Sequence, residues 1–132
     1  MCMLSDDYEP WQVHRRKERR ARKQHSCTEC GRRIFSGENY VEVVGLFDGQ
    51  WSRFTTCRHC EAASEWLIVA CGGYPYTMLG EELHEHRPAN DSVLDRLYEG
   101  FRAKWDQGTA PVPLSSVVVA DAKAYRATVT AA

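Results

Sequence analysis

Two C-x-x-C pairs constrain the fold of this chain more than any other feature. Cys27 and Cys30 lie in the sequence C-T-E-C, and Cys57 and Cys60 lie in C-R-H-C. Two such pairs supply four thiolates, the ligand set of a tetrahedral structural zinc ion, and the two-residue gap lets one tight turn aim both sulfurs at one metal. We therefore predict one structural Zn²⁺ bound by these four cysteines. The alternatives are four unrelated thiols or two redox pairs.

The stretch between the pairs predicts a β-hairpin. Asp48-Gly49 separates two runs rich in β-branched and aromatic residues, and Asp-Gly is a strong signal for a two-residue hairpin turn. Such a turn sets the register of the two strands, so that Val43 pairs with Phe54. The hairpin face that we predict to be the core side carries Val41, Val43, Phe47 and Phe54.

The opposite face of the hairpin is mixed in character. It includes Leu46, Trp51 and Arg53, and the same register pairs Leu46 with Trp51. A tryptophan beside an arginine is typical of a contact site, so these three residues form a possible partner patch. The alternative is that the C-terminal segment covers Trp51.

The second cysteine pair opens a predicted helix. After Cys60, apolar residues recur at helical spacing up to Gly72, which is a common helix stop. Cys57 and Cys60 would then lie at the N-terminus of this helix, where free amides and the helix dipole favour negatively charged sulfur.

Two further helices are predicted, one short and acidic over about residues 79–86 and one over about residues 91–105. The second carries an apolar stripe that we expect to pack on Trp66 and Leu67 of the preceding helix. The residues of this stripe are Val93, Leu94, Leu97, Tyr98, Phe101 and Trp105.

Length and composition indicate one α+β domain with tails, because 132 residues with 43% hydrophobic side chains allow one modest core. We predict an acidic tail and basic arm at residues 1–24 and the zinc domain at 25–72. A helical extension packing on it follows at 73–106, and a linker with a C-terminal tail or edge strand at 107–132. The sequence leaves strand and disorder open for the last segment.

The basic arm is a candidate nucleic-acid-binding element. Its helix-favouring composition lacks an apolar stripe, so we expect a helix that frays when free and is ordered by a polyanion. A solvated, solubilising arm is the alternative. Trp11 is the only aromatic residue near the arm that could stack, so we expect little base reading and weak single-strand selectivity. The predicted nucleic-acid-binding residues are Arg15, Arg16, Lys17, Arg19, Arg20, Arg22 and Lys23.

The charge is divided along the chain. Residues 1–60 hold 11 Lys/Arg against 8 Asp/Glu, whereas residues 61–132 hold 6 against 10. An alternative function follows from this asymmetry, namely an adaptor or inhibitor that binds a host protein through its acidic helical half or through the Trp51 face. No motif indicates a small-molecule substrate.

Cysteine usage and hydropathy indicate the compartment. Metal-bound thiolates and spare thiols suit a reducing environment, and we see neither an apolar signal region nor a run of transmembrane length. We expect a cytoplasmic protein without a membrane partner. Cys2 and Cys71 could pair with each other, but nothing in the sequence requires it.

The order of these motifs resembles the treble-clef zinc fold, in which a C-x-x-C-G knuckle and a hairpin precede a C-x-x-C that opens a helix. The stretch C-G-R-R-I-F-S-G-E-N-Y, followed by D-G and C-R-H-C, is similar to small zinc-binding proteins of bacteriophages and their bacterial hosts. The resemblance covers residues 25–72 and implies the same four cysteine ligands. It implies no activity, because treble clefs serve nucleic-acid binders, adaptors and nucleases alike.

We do not predict an enzyme, and an HNH-type nuclease is the closest enzymatic alternative. Such nucleases need a general-base histidine on the hairpin, and this hairpin contains none. His84 and His86 would point about 200° apart on a helix, so they cannot chelate one ion together. We expect both to be surface histidines and His59 to lie beside the metal site, and we assign no catalytic residue.

Overall fold

The computed structural model of the chain describes residues 12–47, 49–74, 77–86, 92–104 and 112–131. These residues form a mixed α+β structure with four helices and two small sheets. The strands are β1 (Gln12–Arg20), β2 (His25–Ser26), β3 (Arg33–Ile34), β4 (Asn39–Phe47) and β5 (Gln50–Cys57). The helices are α1 (Arg58–Cys71), α2 (Leu79–His86), α3 (Ser92–Arg102) and α4 (Ser115–Ala131). None of the described helices is long and apolar enough to span a bilayer.

The β4–β5 hairpin has the predicted register. Val43 pairs with Phe54, and Leu46 pairs with Trp51. Gly49 in the turn has a φ of 79°, a left-handed conformation that glycine adopts without steric cost and that a two-residue hairpin turn requires.

The hairpin face predicted to be the core side lies under α1. Val41, Val43 and Phe54 are buried there and form one small apolar cluster. Val41 and Ala62 of α1 line the same cavity, which places the helix over this face. The side chain of Phe47 lies outside the described residues.

Residues 12–20 form an edge strand, which corrects the expectation of a helix in the basic arm. β1 pairs antiparallel with β4, with a bulge between Val13 and Arg15, and the sheet order is β1-β4-β5. Helix propensity is a weak preference, and the free edge of β4 offers backbone hydrogen bonds together with the carboxylate of Glu42. Arg15 and Arg19 flank this carboxylate, so the arm is part of the sheet.

The main core lies among the helices. Trp66 and Leu67 of α1 and Leu94 and Leu97 of α3 are fully buried in one cluster, which confirms that the stripe on α3 packs against α1. Trp105 lies outside the described residues. The other stripe residues are partly buried against the same cluster: Val93, Tyr98 and Phe101.

Helices α2 and α3 approach each other closely at a glycine. A Cβ atom at Gly80 of α2 would lie 2.5 Å from the Phe101 ring of α3, so a larger residue at this position would require the ring or the helices to shift. Leu79 and Leu83 on α2 are fully buried in the same cluster as the residues of α1 and α3.

Residues 115–131 form helix α4, so this part of the last segment is a helix, and neither the edge strand nor the disordered tail that the sequence left open. Val118 and Ala122 are fully buried and Tyr125 is half-buried, a helical spacing that places all three on one face. The indole Nε1 of Trp66 donates a 2.9 Å hydrogen bond to Asp121 on this helix. Three consecutive valines favour a strand locally, but packing against α1 outweighs this preference and the segment is a helix. The predicted domain boundaries stay predictions.

Candidate functional site

The first two cysteines lie in the tight turn between β2 and β3. The N–H of Cys27 donates to the carbonyl oxygen of Arg32 at 2.8 Å, and the N–H of Gly31 donates to the carbonyl oxygen of Cys27 at 3.0 Å. Gly31 has a φ of 77°, a left-handed backbone conformation that residues other than glycine rarely adopt. This turn brings the sulfur atoms of Cys27 and Cys30 within 4.8 Å of each other.

The other two cysteines lie where β5 passes into α1. Cys57 is both the last residue of β5 and the N-cap of α1, and its sulfur accepts a 3.5 Å hydrogen bond from the N–H of Cys60. The prediction that this pair occupies a helix N-terminus is confirmed. Free amides and the helix dipole stabilise negative sulfur at this position.

The four sulfur atoms form one compact cluster. All lie within 4.8 Å of one another, and those of Cys30 and Cys57 are 4.0 Å apart. A tetrahedral zinc ion with metal–sulfur bonds of about 2.3 Å requires sulfurs about 3.8 Å apart. None of the four takes part in a disulfide. They are therefore close enough to hold one metal ion, with only small adjustments of the side chains.

Electrostatics at the cluster favour a bound cation. Backbone N–H groups point at sulfur, from Arg32 to Cys30 at 3.4 Å and from Cys57 to Cys27 at 3.5 Å. Hydrogen bonding by Cys30 holds the pKa of Cys27 far below its ordinary value, whereas hydrogen bonding to Cys27 raises the pKa of both Cys57 and Cys60. The pKa of Cys30 is lowered as well, so the cluster holds negative charge, and ionisation of the remaining thiols needs positive charge at its centre.

His59 lies beside the cluster and is not one of the four grouped ligands. Burial lowers its pKa to about 4, so the imidazole is neutral at physiological pH. It lines a cavity of about 300 Å³ together with Arg32 and Arg58. The expected position of His59 beside the metal site agrees with this arrangement.

Glu29, within C-T-E-C, connects the metal-ligand turn to α2. Its Oε1 accepts a hydrogen bond from the N–H of Thr77 at 2.5 Å, and its Oε2 accepts one from the N–H of Leu79 at 3.2 Å. The carboxylate thereby satisfies amides at the start of α2 that have no partner within the helix. Burial raises the pKa of Glu29 to about 7. Sequence analysis missed this contact because 48 residues separate Glu29 from Thr77.

The basic arm places its side chains on both faces of the sheet. Side chains alternate along a strand, so Arg15, Lys17 and Arg19 project from one face of β1, and Arg16 and Arg20 project from the other. The predicted nucleic-acid-binding residues therefore do not all share one surface.

Three arginines of the arm are engaged within the protein. Arg15 and Arg19 both pair with Glu42 of β4, at 2.9 Å and 3.6 Å, and Arg16 pairs with Glu61 of α1. These ion pairs hold β1 against the sheet and the helix, and they reduce the charge that an external partner would meet.

The remaining four basic residues of the arm are turned to solvent. Lys17 and Arg20 lie on β1, and Arg22 and Lys23 follow its end. All four are exposed, and none forms an ion pair with another described residue. They are the cations of the arm that are most available to a polyanion.

The possible partner patch shares a sheet face with Arg15. Val44 pairs with Arg15 on one side and with Arg53 on the other, and the next row contains Leu46 and Trp51. Trp51 is 62% exposed, and the described C-terminal helix packs on α1 instead of covering it. We call this surface the open sheet face, defined by Arg15, Lys17, Arg19, Glu42, Val44, Leu46, Trp51 and Arg53.

His86 is buried, which corrects the expectation that both histidines of α2 are on the surface. Only 2% of His86 is exposed, and its Nε2 lies 3.3 Å from the sulfur of Cys71. The ring packs edge-on against Trp66 and Tyr125, and burial lowers the pKa of His86. The spacing of Leu79, Leu83 and His86, at i, i+4 and i+7, was the available signal that His86 lies on the apolar face of α2.

The chain matches no protein-family model, and comparison with curated proteins and with solved structures gives no match either. The resemblance to treble-clef and bacteriophage zinc proteins stays a prediction. Function is therefore inferred from the four-cysteine cluster and from the surfaces of the sheet and helices.

Proposed function

We propose that the four-cysteine cluster binds one structural zinc ion in a treble-clef arrangement. Four sulfur ligands at near-tetrahedral spacing suit Zn²⁺, and four protein ligands leave no open position for a substrate. The order of the β2–β3 turn, the β4–β5 hairpin and α1 supports the treble clef. Metal analysis of protein purified under reducing conditions should find one zinc per chain. Absence of zinc would reject this assignment.

We also propose that this cytoplasmic, non-catalytic module binds nucleic acid through its basic strand. The observation that carries the proposal is the exposure of Lys17, Arg20, Arg22 and Lys23 along one edge of the sheet, without ion pairs to other described residues. Cations of this kind bind phosphates and release counterions, which makes the affinity strongly dependent on salt. Lys17 and Arg20 project from opposite faces of this edge strand, and Arg22 and Lys23 follow its end.

The four lysines of the chain provide a matched test. Lys17 and Lys23 belong to the basic arm, Lys104 and Lys123 belong to the helical half, and all four are exposed. The K17Q/K23Q variant should bind nucleic acid more weakly and should reduce the slope of log affinity against log salt by about two. The K104Q/K123Q variant removes the same charge and should change neither.

Two results would contradict the nucleic-acid proposal. One is that the wild-type protein binds neither single-stranded nor double-stranded nucleic acid at about 50 mM salt, where phosphate contacts are strong. The other is that the two double-lysine variants lose affinity equally, which would indicate a response to net charge alone.

A groove between α2 and α3 favours a second candidate function, an adaptor or inhibitor that binds a host protein. The groove has a volume of about 500 Å³ and is lined by Glu81, Glu85, Tyr98 and Phe101. Arg102 lies over the Tyr98 ring at 5.9 Å, an internal cation–π contact within the groove. Carboxylates around aromatic rings suit a cationic segment of a partner protein.

The adaptor candidate is tested by affinity capture from host lysate after nuclease treatment. A captured protein that is retained by the K17Q/K23Q variant and lost by an E81Q/E85Q variant would support it. If every captured protein is released by nuclease, the partner is bound through nucleic acid and the adaptor function is rejected.

A further inference from the structure

Among the described residues, α1 covers one face of the three-stranded sheet, and no helix covers the other face. The covered face carries Val41 and also Arg16, which pairs with Glu61 of α1. Of the described helices, α1 is the one that packs against β4 and β5. On the other face, the β2–β3 turn reaches only one end of the sheet, where the rings of His25 and Tyr40 lie 4.9 Å apart. The rest of that face is the open sheet face.

Cross-strand pairing arranges the open sheet face in rows. Arg15, Val44 and Arg53 form one row across the three strands, and Leu46 and Trp51 form the next row. Neighbouring strands are about 4.8 Å apart, and same-face residues are about 6.8 Å apart along a strand. The backbone position of Arg53 is therefore about 7 Å from that of Trp51, and that of Arg15 is about 12 Å away.

The open sheet face carries surplus positive charge. Arg15, Lys17, Arg19 and Arg53 face one carboxylate, that of Glu42, so four cations against one anion leave three positive charges. Glu42 is only 7% exposed because Arg15 and Arg19 cover it. A guanidinium group has five donors, so an arginine held by a carboxylate can still donate to a phosphate.

Trp51 adds a flat aromatic surface to these cations. The indole is 62% exposed, and Val44 and Leu46 beside it are half-buried. A base can stack on an exposed aromatic ring only when it is free of its own helical stack, which is the normal condition of a single strand. Bases of a duplex are not available in this way.

We propose that the open sheet face binds single-stranded nucleic acid, with a base stacked on Trp51 and phosphates bound by Arg15, Lys17 and Arg53. This inference rests on the proposed nucleic-acid-binding function and adds to it the surface and the type of nucleic acid. It also replaces the expectation that Trp11 alone would stack on bases. Weak single-strand selectivity is replaced by a clear preference for single strands.

Replacing the indole tests the stacking contact. The probe is an oligothymidylate of about 16 nucleotides, which spans the usual site size and forms no secondary structure. Trp51→Leu should weaken its binding by about tenfold to a hundredfold, and Trp51→Phe should restore most of the affinity. The salt dependence should stay unchanged because the phosphate contacts remain. Binding of a duplex of the same length should not respond to either substitution.

A control substitution away from the open sheet face tests whether the loss of affinity is specific to that face. Leu114 is 72% exposed, and its neighbours Pro113 and Ser115 line a cavity with Arg16 on the covered side of the sheet. Leu114→Ala should leave binding of the oligothymidylate unchanged. Thermal unfolding and metal content of each variant verify that folding is retained.

The proposed phosphate contacts are tested by comparing two arginine substitutions, one on each side of the sheet. Arg53 lies on the open sheet face, whereas Arg58 lines the cavity on the covered side. Arg53→Gln should reduce the salt slope for the oligothymidylate by about one, and Arg58→Gln should not. Equal effects of the two substitutions would overturn the proposed surface.

The remaining outcomes separate this inference from the function on which it rests. If Trp51→Leu binds the oligothymidylate like wild type while K17Q/K23Q still weakens binding, the nucleic-acid function stands and the open-face proposal is wrong. If the wild type binds no nucleic acid, both are rejected. If Trp51→Leu abolishes capture of a protein partner and leaves oligothymidylate binding intact, the face is a protein contact and the proposal is overturned.

Discussion

The strands and the helices of this chain bury very different amounts of apolar surface. Under the three-stranded sheet the cluster consists of Val41, Val43 and Phe54. The main core buries side chains from all four helices in one cluster, with Trp66 and Leu97 fully enclosed, and Ile34, Tyr40 and Cys57 of the strands join its edge. Three buried side chains contribute on the order of 5 kcal/mol, which is small beside the entropy lost in ordering five strands. We therefore expect the proposed metal to stabilise the sheet more than it stabilises the helices.

Two features couple these regions. Helix α1 begins at the metal ligands and carries Trp66, the centre of the helical core. Glu29, inside the first cysteine pair, bonds to the amides of Thr77 and Leu79 at the start of α2. Perturbing one region should therefore affect the other to a degree that mutations can measure.

Loss of the metal should have the largest effect. Cys57→Ser, or chelation of the metal, should remove stabilisation on the order of 10 kcal/mol and unfold the β2–β3 turn and the sheet. Hydrogen exchange should show loss of protection in β4 and β5, and zinc added back to the chelated wild type should restore it. Full protection of these strands in metal-free protein would show that the sheet does not depend on the metal.

A cavity in the helical core should have the next largest effect. Leu97→Ala should lower the free energy of unfolding by about 2–5 kcal/mol, measured by urea denaturation, because Leu97 is fully buried. Zinc content should stay at the wild-type value. The exposed control Leu114→Ala should stay within about 0.5 kcal/mol of wild type. If Leu97→Ala also released the metal, the two regions would not be held separately.

Glu29, which connects the cysteine turn to α2, should make the free energy of unfolding depend on pH. The raised pKa of Glu29 means that the folded chain retains a proton that the unfolded chain has already released, between about 4.5 and about 7. The protonated carboxyl therefore favours folding at low pH, and this contribution is lost as the pH rises through about 7.

Glu29→Gln should abolish that part of the pH dependence. The shift in pKa sets an upper limit of about 3 kcal/mol on the effect. Urea denaturation at about pH 6 and about pH 8 would measure it, with the change in wild type compared with that in the variant. Identical pH dependence in the two proteins would show that Glu29 does not couple to folding through its proton.

The buried histidine of the helical core should give the smallest effect, with the opposite sign. The lowered pKa of His86 means that the folded state excludes a proton that the unfolded state binds below about pH 6.5. The neutral His86 therefore contributes to stability above about pH 6.5, and this contribution is lost as the pH falls through the lowered pKa of His86 in the folded state. His86→Gln should remove this contribution, and Glu29→Gln should leave it in place. A wild-type response that is unchanged in His86→Gln would contradict it.

Errors at the two ends of the chain have the same physical origin. In β1 the composition favours a helix, and in α4 the run Val117, Val118 and Val119 favours a strand. Each local preference is worth a fraction of a kcal/mol per residue. Pairing with the edge of β4 and packing on α1 outweigh these preferences. The spacing of Val118, Ala122 and Tyr125 was the available signal for a helix in the last segment.

The amino-acid sequence by itself determined the four cysteines that come together in one cluster, the register of the β4–β5 hairpin and the apolar stripe of α3. These features depend on short-range chemistry: the C-x-x-C spacing, the Asp48-Gly49 turn and helical periodicity. Only the tertiary structure decided that the basic arm is a strand, and that Arg15 and Trp51 share one face. It also decided that Glu29 reaches α2 and that His86 is buried. Those outcomes depend on contacts between segments that are distant in the sequence, and no short sequence pattern indicates which of these contacts form.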